Sequence, residues 1–139
     1  MTSEQDLYNE LAYYTLAHPD PAFLHQNLVD AFAAQHADET SKPIYVVFAL
    51  IGLYLCVEKG FTGKQAQGAH MQLGKTRRAY PRLPLPFDRG KIGIRDVLAT
   101  APGPVRDAMI HQWCACAWEA WHDSRAYIVA LAKNELGVD

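Results

Sequence analysis

The segment HQNLVDAFAAQH, His25 to His36, carries residue types that do chemistry: two histidines, a carboxylate, an asparagine and two glutamines. Histidine titrates near neutrality and its neutral ring binds divalent metals. Such a set on one helix therefore suggests metal ligation or general acid–base work. A helical wheel restrains the idea. Leu24, Leu28, Ala31 and Phe32 define an apolar arc, with His25, Gln35 and His36 in or beside it, and Asp30 falls roughly opposite, near Phe23 and Asn27. At 1.5 Å per residue the two histidines stand about 16 Å apart, a gap that metal–nitrogen bonds of about 2 Å do not span. Any site must be assembled between helices.

His111 and His122 repeat the same spacing on a later helical stretch, at the edge of its apolar face. Packing of the two elements could join one histidine of each pair, with Asp30 or Glu58 adding a carboxylate, as ligand sets in bundle cores are built. Zinc or another divalent metal would then be the cofactor. The candidate ligands are His25, Asp30, His36, Glu58, His111 and His122. The plainer alternative is a set of half-buried histidines, each hydrogen-bonded to its own partner.

Other features carry less. Cys114 and Cys116 are two apart, roughly 200° around a helix, so they neither ligate one ion nor form a redox pair there. Buried cysteine is the ordinary outcome. GAHMQLGKT (Gly68 to Thr76) misses the phosphate-loop spacing by one residue and follows no strand. P-R-L-P resembles a polyproline ligand but reads more simply as a connector covering one end of a bundle. The basic cluster from Lys75 to Arg95 offers an anion-binding surface, with Lys75, Arg77, Arg78 and Arg82 as its core. Only Tyr80 and Phe87 are available there for stacking, so nucleic acid is not the expected partner. Pairing with the acidic N-terminal helices is the simpler use. In WCACAWEAW, Trp113 and Trp121 belong on a packing face and Trp118 at its margin. Trp118 and Trp121, with Tyr45 and Tyr54, are the candidates for lining a ligand pocket.

These residues need helices to hold them, and the periodicity is helical almost throughout. Ser3, with Asp6 three residues on, opens a first helix running to about Ala17. After the HPDP turn, Asp20 caps and Pro21 begins a second, ending near Ala37. Ser41 and Pro43 start a third, apolar all round and therefore central, which Gly60 stops; Gly52 within it lets a neighbour approach closely. Thr62 caps a fourth reaching roughly Arg78, weakened by Gly63, Gly68 and Gly74. A proline-rich connection over 80–94, PRLPLPFDRGKIG, and a short helical turn lead to a long amphipathic helix from Pro104 to about Glu135. No strand alternation and no repeat is present. The expectation is an all-α, single-domain bundle of about four main helices with antiparallel neighbours.

Composition agrees. The chain has 139 residues, 50% of them hydrophobic and 20% charged, with a net charge of −2, which suits one globular domain and does not advertise nucleic-acid binding. Residues 1–41 hold no Lys or Arg. The N-terminus lacks the basic and apolar regions of a signal peptide. The longest apolar run, Ile44 to Val57, has 14 residues, against about 20 for a membrane span. No membrane partner is expected, and three cysteines form no disulfide framework, in keeping with a reducing cytoplasm. A homodimer through an apolar bundle face is compatible with this composition.

LVDAFAAQH (Leu28 to His36), GLYLCVEKG (Gly52 to Gly60) and WCACAWEAWHDS (Trp113 to Ser124) fall in the order and spacing of a bacterial family, and over roughly Tyr14 to Leu131 the chain resembles domain of unknown function 5946. The resemblance matches His25, Asp30, Gln35–His36, Glu58, Trp118 and Trp121 to the family pattern. Many members begin with a Cys-x-x-Cys segment suggestive of zinc; this sequence has no such pair, which weakens a zinc assignment. The resemblance implies a small intracellular bacterial protein and supplies no activity. A binding or structural role is the expectation, with a metal-dependent enzyme and an anion binder as alternatives.

Overall fold

The computed structural model describes residues 3–17 and 19–139. His18, in the HPDP turn, and the first two residues of the N-terminal segment lie outside that description. Among the described residues the chain forms seven α-helices and no strand. They are α1 (Glu4–Leu16), α2 (Leu24–His36), α3 (Pro43–Lys59), α4 (Gly63–Gly74), α5 (Ile94–Leu98), α6 (Pro104–Ala120) and α7 (Arg125–Leu136). None is long and apolar enough to cross a membrane.

Local chemistry sets most of the boundaries. Ser3 Oγ accepts from the Asp6 amide at 3.1 Å while the Asp6 carboxylate accepts from Ser3 N–H, the reciprocal box expected at α1. Thr62 and Gln65 repeat it at α4. Pro43 opens α3, and Gly60 ends it in the left-handed conformation, with φ 70°. α3 is buried through its middle, from Val46 to Leu55 apart from the half-buried Phe48. It is the central helix, packed by α2, α4, α6 and α7.

Three boundaries depart from expectation. α2 begins at Leu24, not at Pro21: residues 20–23 form a turn in which Phe23 is left-handed (φ 55°) and the Asp20 carboxylate accepts from Leu24 N–H. This turn docks on the start of α4. Ala22 C=O accepts from Lys64 N–H at 2.8 Å, and a Cβ on Gly63 would fall 1.9 Å from the Phe23 carbonyl oxygen. Glycine is required there by the close approach. α4 stops at Gly74 instead of near Arg78, and the chain then runs on without regular structure into the proline-rich connection.

The long C-terminal helix is two helices. A 3₁₀ turn at His122–Ser124 separates α6 from α7. Trp121 stays buried, its indole N–H donating to Ala34 C=O at 3.1 Å. After the bend α7 packs against α3 and α4, and Ile128 and Leu131 on it are buried.

The wheel also set Asp30 opposite the buried arc, and the fold reverses this. Asp30 is 3% exposed, because α2 is enclosed on several sides by α1, α3, α4 and α6. Gly52 makes room for it: a Cβ at that position would stand 1.8 Å from Asp30 Oδ2. The close approach read from Gly52 is therefore that of α2. Gly52→Ala should destabilise the chain by about 1–3 kcal/mol, or more if Asp30 cannot move, as overpacked cores do. Urea denaturation of Gly52→Ala, Asp30→Ala and the double variant measures this. The double variant should recover most of the loss, since removing the carboxyl removes the clash.

Candidate functional site

Three helices converge on the polar residues they bury. α2 contributes Asn27 and Asp30, one turn apart; α3 contributes Gly52 and Cys56, also one turn apart; α6 contributes His111 and Cys114. His111 is exposed, Cys56 half-buried, and Cys114 and Asp30 fully buried, so the group runs from solvent inward. Cys56 Sγ lies 3.8 Å from His111 Nδ1, and Cys114 Sγ lies 3.5 Å from the Asn27 carbonyl oxygen, the alternative acceptor for the one proton it can give to Cys56.

Electrostatics sort these groups. A hydrogen bond from the Cys114 thiol is the main reason the Cys56 thiol is lowered to about 5, and the His111 ring adds to it against the cost of burial. His111 is raised by its bond to Cys56. Cys114 is pushed well up by its bond to Cys56, then by burial and the Asp30 charge. Burial likewise pushes the Asp30 carboxyl well above the usual range, with Cys56 adding to it and Gln26 opposing it. These directions favour the charged form at Cys56 and at His111 and the neutral forms of Asp30 and Cys114.

Asp30 continues the network inward. Gln26 Nε2 donates to Asp30 Oδ1 at 3.1 Å and reaches His70 Nδ1 at 3.4 Å. His70 Nε2 donates to Phe48 C=O at 2.7 Å, which fixes the tautomer: Nδ1 is the acceptor, and burial keeps the ring neutral. Asp30 Oδ2 and Asn27 Oδ1 have no hydrogen-bond partner.

The remaining ligand candidates are separated, each with its own partner. His25 Nδ1 meets Thr15 Oγ1 at 2.9 Å. His36 stacks on Phe32 and donates to its carbonyl at 2.9 Å. His122 lies at the surface against Glu119 C=O and the Asp123 carboxylate. Glu58 is held by the Arg125 guanidinium and the Trp118 indole. Among the described residues no group of three or more His, Cys, Asp or Glu could hold a metal ion.

The aromatic candidates do not share a cavity. Tyr54 and Trp118 are buried with ring centroids 5.8 Å apart, Trp121 is buried under the Arg89 guanidinium, and Tyr45 is 63% exposed. A surface cleft of about 570 Å³ is lined instead by Phe87, Ala115, Cys116, Ala120 and His122. The basic cluster serves the fold at several points. Arg78 pairs with Glu135, Arg95 with Glu4, and Arg82 donates to the Glu39 and Ser41 carbonyls. Arg89 donates to the carbonyls of Pro86, Ala34 and Gln35, satisfying the end of α2. Lys75 and Arg77 are exposed.

The sequence reading missed Cys56, Cys114, Gln26 and His70 as members of one network. A usable signal existed: His111-x-x-Cys114 sets imidazole and thiol on one face of a helix, and Cys56 follows one turn after the only glycine in α3.

The chain belongs to the family of unknown function DUF5946, whose model matches residues 5–122. No curated protein and no solved structure matches it.

Two acids give opposite pH dependences. The folded state raises Asp30, so it holds a proton that the unfolded chain releases above about pH 4. Stability is then lost as pH rises from the unfolded value through the folded one. The stability of Asp30→Asn relative to the native chain should increase from pH 4 to pH 8 in thermal melts. Glu58 is lowered from 4.5 to about 2, chiefly by Arg125, so its contribution is full above about pH 4.5 and lost as pH falls toward 2. Glu58→Gln should remove that part of the acid-side loss in the same melts.

Proposed function

We propose that this protein works through a reactive thiol, with Cys56 as the nucleophile and His111 as the group that holds and returns its proton. The observation that carries the reading is the Cys56–His111 pair at 3.8 Å, in which a half-buried thiol on α3 meets an exposed imidazole on α6. Thiolates rather than thiols react, and a neighbouring imidazolium with a thiol hydrogen bond favours the charged form. The metal reading finds less support, since its donors each meet a different partner. The anion reading is weakened by the intramolecular partners of Arg78, Arg82, Arg89 and Arg95.

A bacterial cytoplasm suits such a thiol, and Cys56, Cys114 and Cys116 are all free. A single-domain bundle with α2, α3, α4 and α6 as its main helices is the architecture we infer, supported by their mutual packing and by the short α2–α3 and α3–α4 connections that favour antiparallel neighbours.

The test is the pH profile of Cys56 reaction with an aromatic disulfide, followed by peptide mass mapping. At pH 6 an unperturbed thiol is about 0.3% ionised, against about 90% for one titrating at about 5. Lower intrinsic nucleophilicity, with a slope of about 0.4–0.5 per unit, removes roughly a factor of 40. The net advantage over an unperturbed thiol is about tenfold at pH 6 and nearly nothing at pH 7, so a rate at neutral pH alone is uninformative. The reactivity of Cys56 should rise with a midpoint near pH 5, and His111→Gln should move that midpoint upward. A midpoint near that of an unperturbed thiol sinks the reading.

A further inference from the structure

Resting on that reading, we infer that Cys56 and Cys114 form a two-thiol redox couple that reduces hydroperoxides, Cys56 reacting first and Cys114 resolving it. Cys114 lies one turn from His111 on α6, the helix that holds the His111 ring 3.8 Å from Cys56, and the two thiols are close enough that each shifts the other's titration. Cys114 is fully buried, so the partner it can reach is within the core. Cys116 is turned to the other side of α6, where it lines the cleft with Phe87. The half-burial of Cys56 favours a small oxidant over a protein disulfide. Behind the couple, the unpartnered oxygens of Asp30 and Asn27 leave a polar interior in which thiols can exchange protons.

The steps balance. The Cys56 thiolate attacks the terminal peroxide oxygen; an S–O bond forms and the O–O bond breaks. The departing alkoxide takes the proton of the His111 imidazolium and leaves as an alcohol, or as water when the substrate is hydrogen peroxide. His111, now neutral, accepts the Cys114 proton as that sulfur attacks the Cys56 sulfenic acid. An S–S bond forms, the S–O bond breaks, and the hydroxyl leaves as water with the relayed proton. The peroxide gains two electrons and the two thiols lose them. An external dithiol restores both by exchange.

The experiment treats the reduced full chain with equimolar hydrogen peroxide, without oxygen, and maps its peptides under non-reducing conditions. The expected result is loss of two of the three free thiols and one intramolecular Cys56–Cys114 crosslink. Cys114→Ser should accumulate a Cys56 sulfenic acid trapped by dimedone, and Cys116→Ser should behave as the native chain. A native chain that accumulates the sulfenic acid uncrosslinked, or that links Cys56 to Cys116 or to a second chain, overturns the role of Cys114 and leaves the reactive Cys56 standing. A chain whose Cys56 fails to react with peroxide, yet reacts with the aromatic disulfide as described above, overturns the hydroperoxide assignment. Failure with both reagents removes the Cys56 reading as well. Because the crosslink is read in the native chain, the conclusion does not depend on whether the core variant folds.

Discussion

The contact of Asp30 with Gly52 is the constraint on which the rest of this molecule depends. A buried carboxyl with an unpartnered oxygen is costly, and it is accommodated because α3 presents bare backbone where α2 crosses it. That crossing brings two helices together at a polar point inside an otherwise apolar core. α6 closes the third side. The same closeness brings Cys56, one turn beyond Gly52, toward the face of α6 that carries His111 and Cys114. A larger residue at Gly52 would lift α2 and with it the inner wall of the site.

Around this point the fold is locked by satisfied indoles. Trp113 N–H donates to Gln35 Oε1 at 2.7 Å, Trp118 to Glu58 Oε2 at 2.7 Å, and Trp121 to Ala34 C=O. Each bond ties α6 or its end to α2 or α3, and a buried indole left unpaired would cost about 1–3 kcal/mol. Gln35 does double duty: its amide nitrogen also donates to the Arg89 and Ile92 carbonyls, pinning the proline-rich connection. Most of the residues that carry the family resemblance, Gln35, Glu58, Trp118 and Trp121, are therefore locks. His25, His36 and Asp30 are not such locks, and of these Asp30 is the one whose charge bears on Cys114.

What was legible in the sequence was local. Ser3, Pro43, Gly60 and Thr62 announce helix ends through their own backbone chemistry, and each lies where that chemistry requires. What was not legible depends on tertiary packing. Phe23 adopts a strained left-handed conformation because the turn docks on Gly63, which propensity alone cannot show. The division between α6 and α7 is part of that packing, in which Ile128 and Leu131 are buried. Asp30 was misplaced because a wheel assumes one buried face, whereas α2 is enclosed on several. A search for paired histidines included His111 but passed over Cys56, which meets that ring from another helix.

One electrostatic rule accounts for the directions at the site. Two like charges about 4 Å apart cost roughly 4 kcal/mol at an effective dielectric of about 20, or about three pK units. Asp30, Cys56 and Cys114 oppose one another's ionisation, which favours a single negative charge among them. It settles where it is best compensated: Asp30 is buried with Gln26 as the hydrogen bond that favours its ionised form, and burial and Cys56 both disfavour a charge on Cys114. Cys56 has the His111 ring on its solvent side and the Cys114 thiol donating from within. Neutral neighbours are thus part of what activates this thiol, because an ionised Asp30 would oppose it. The carboxyl that costs the fold stability also favours placing the charge on Cys56, the more accessible sulfur of the pair it forms with Cys114.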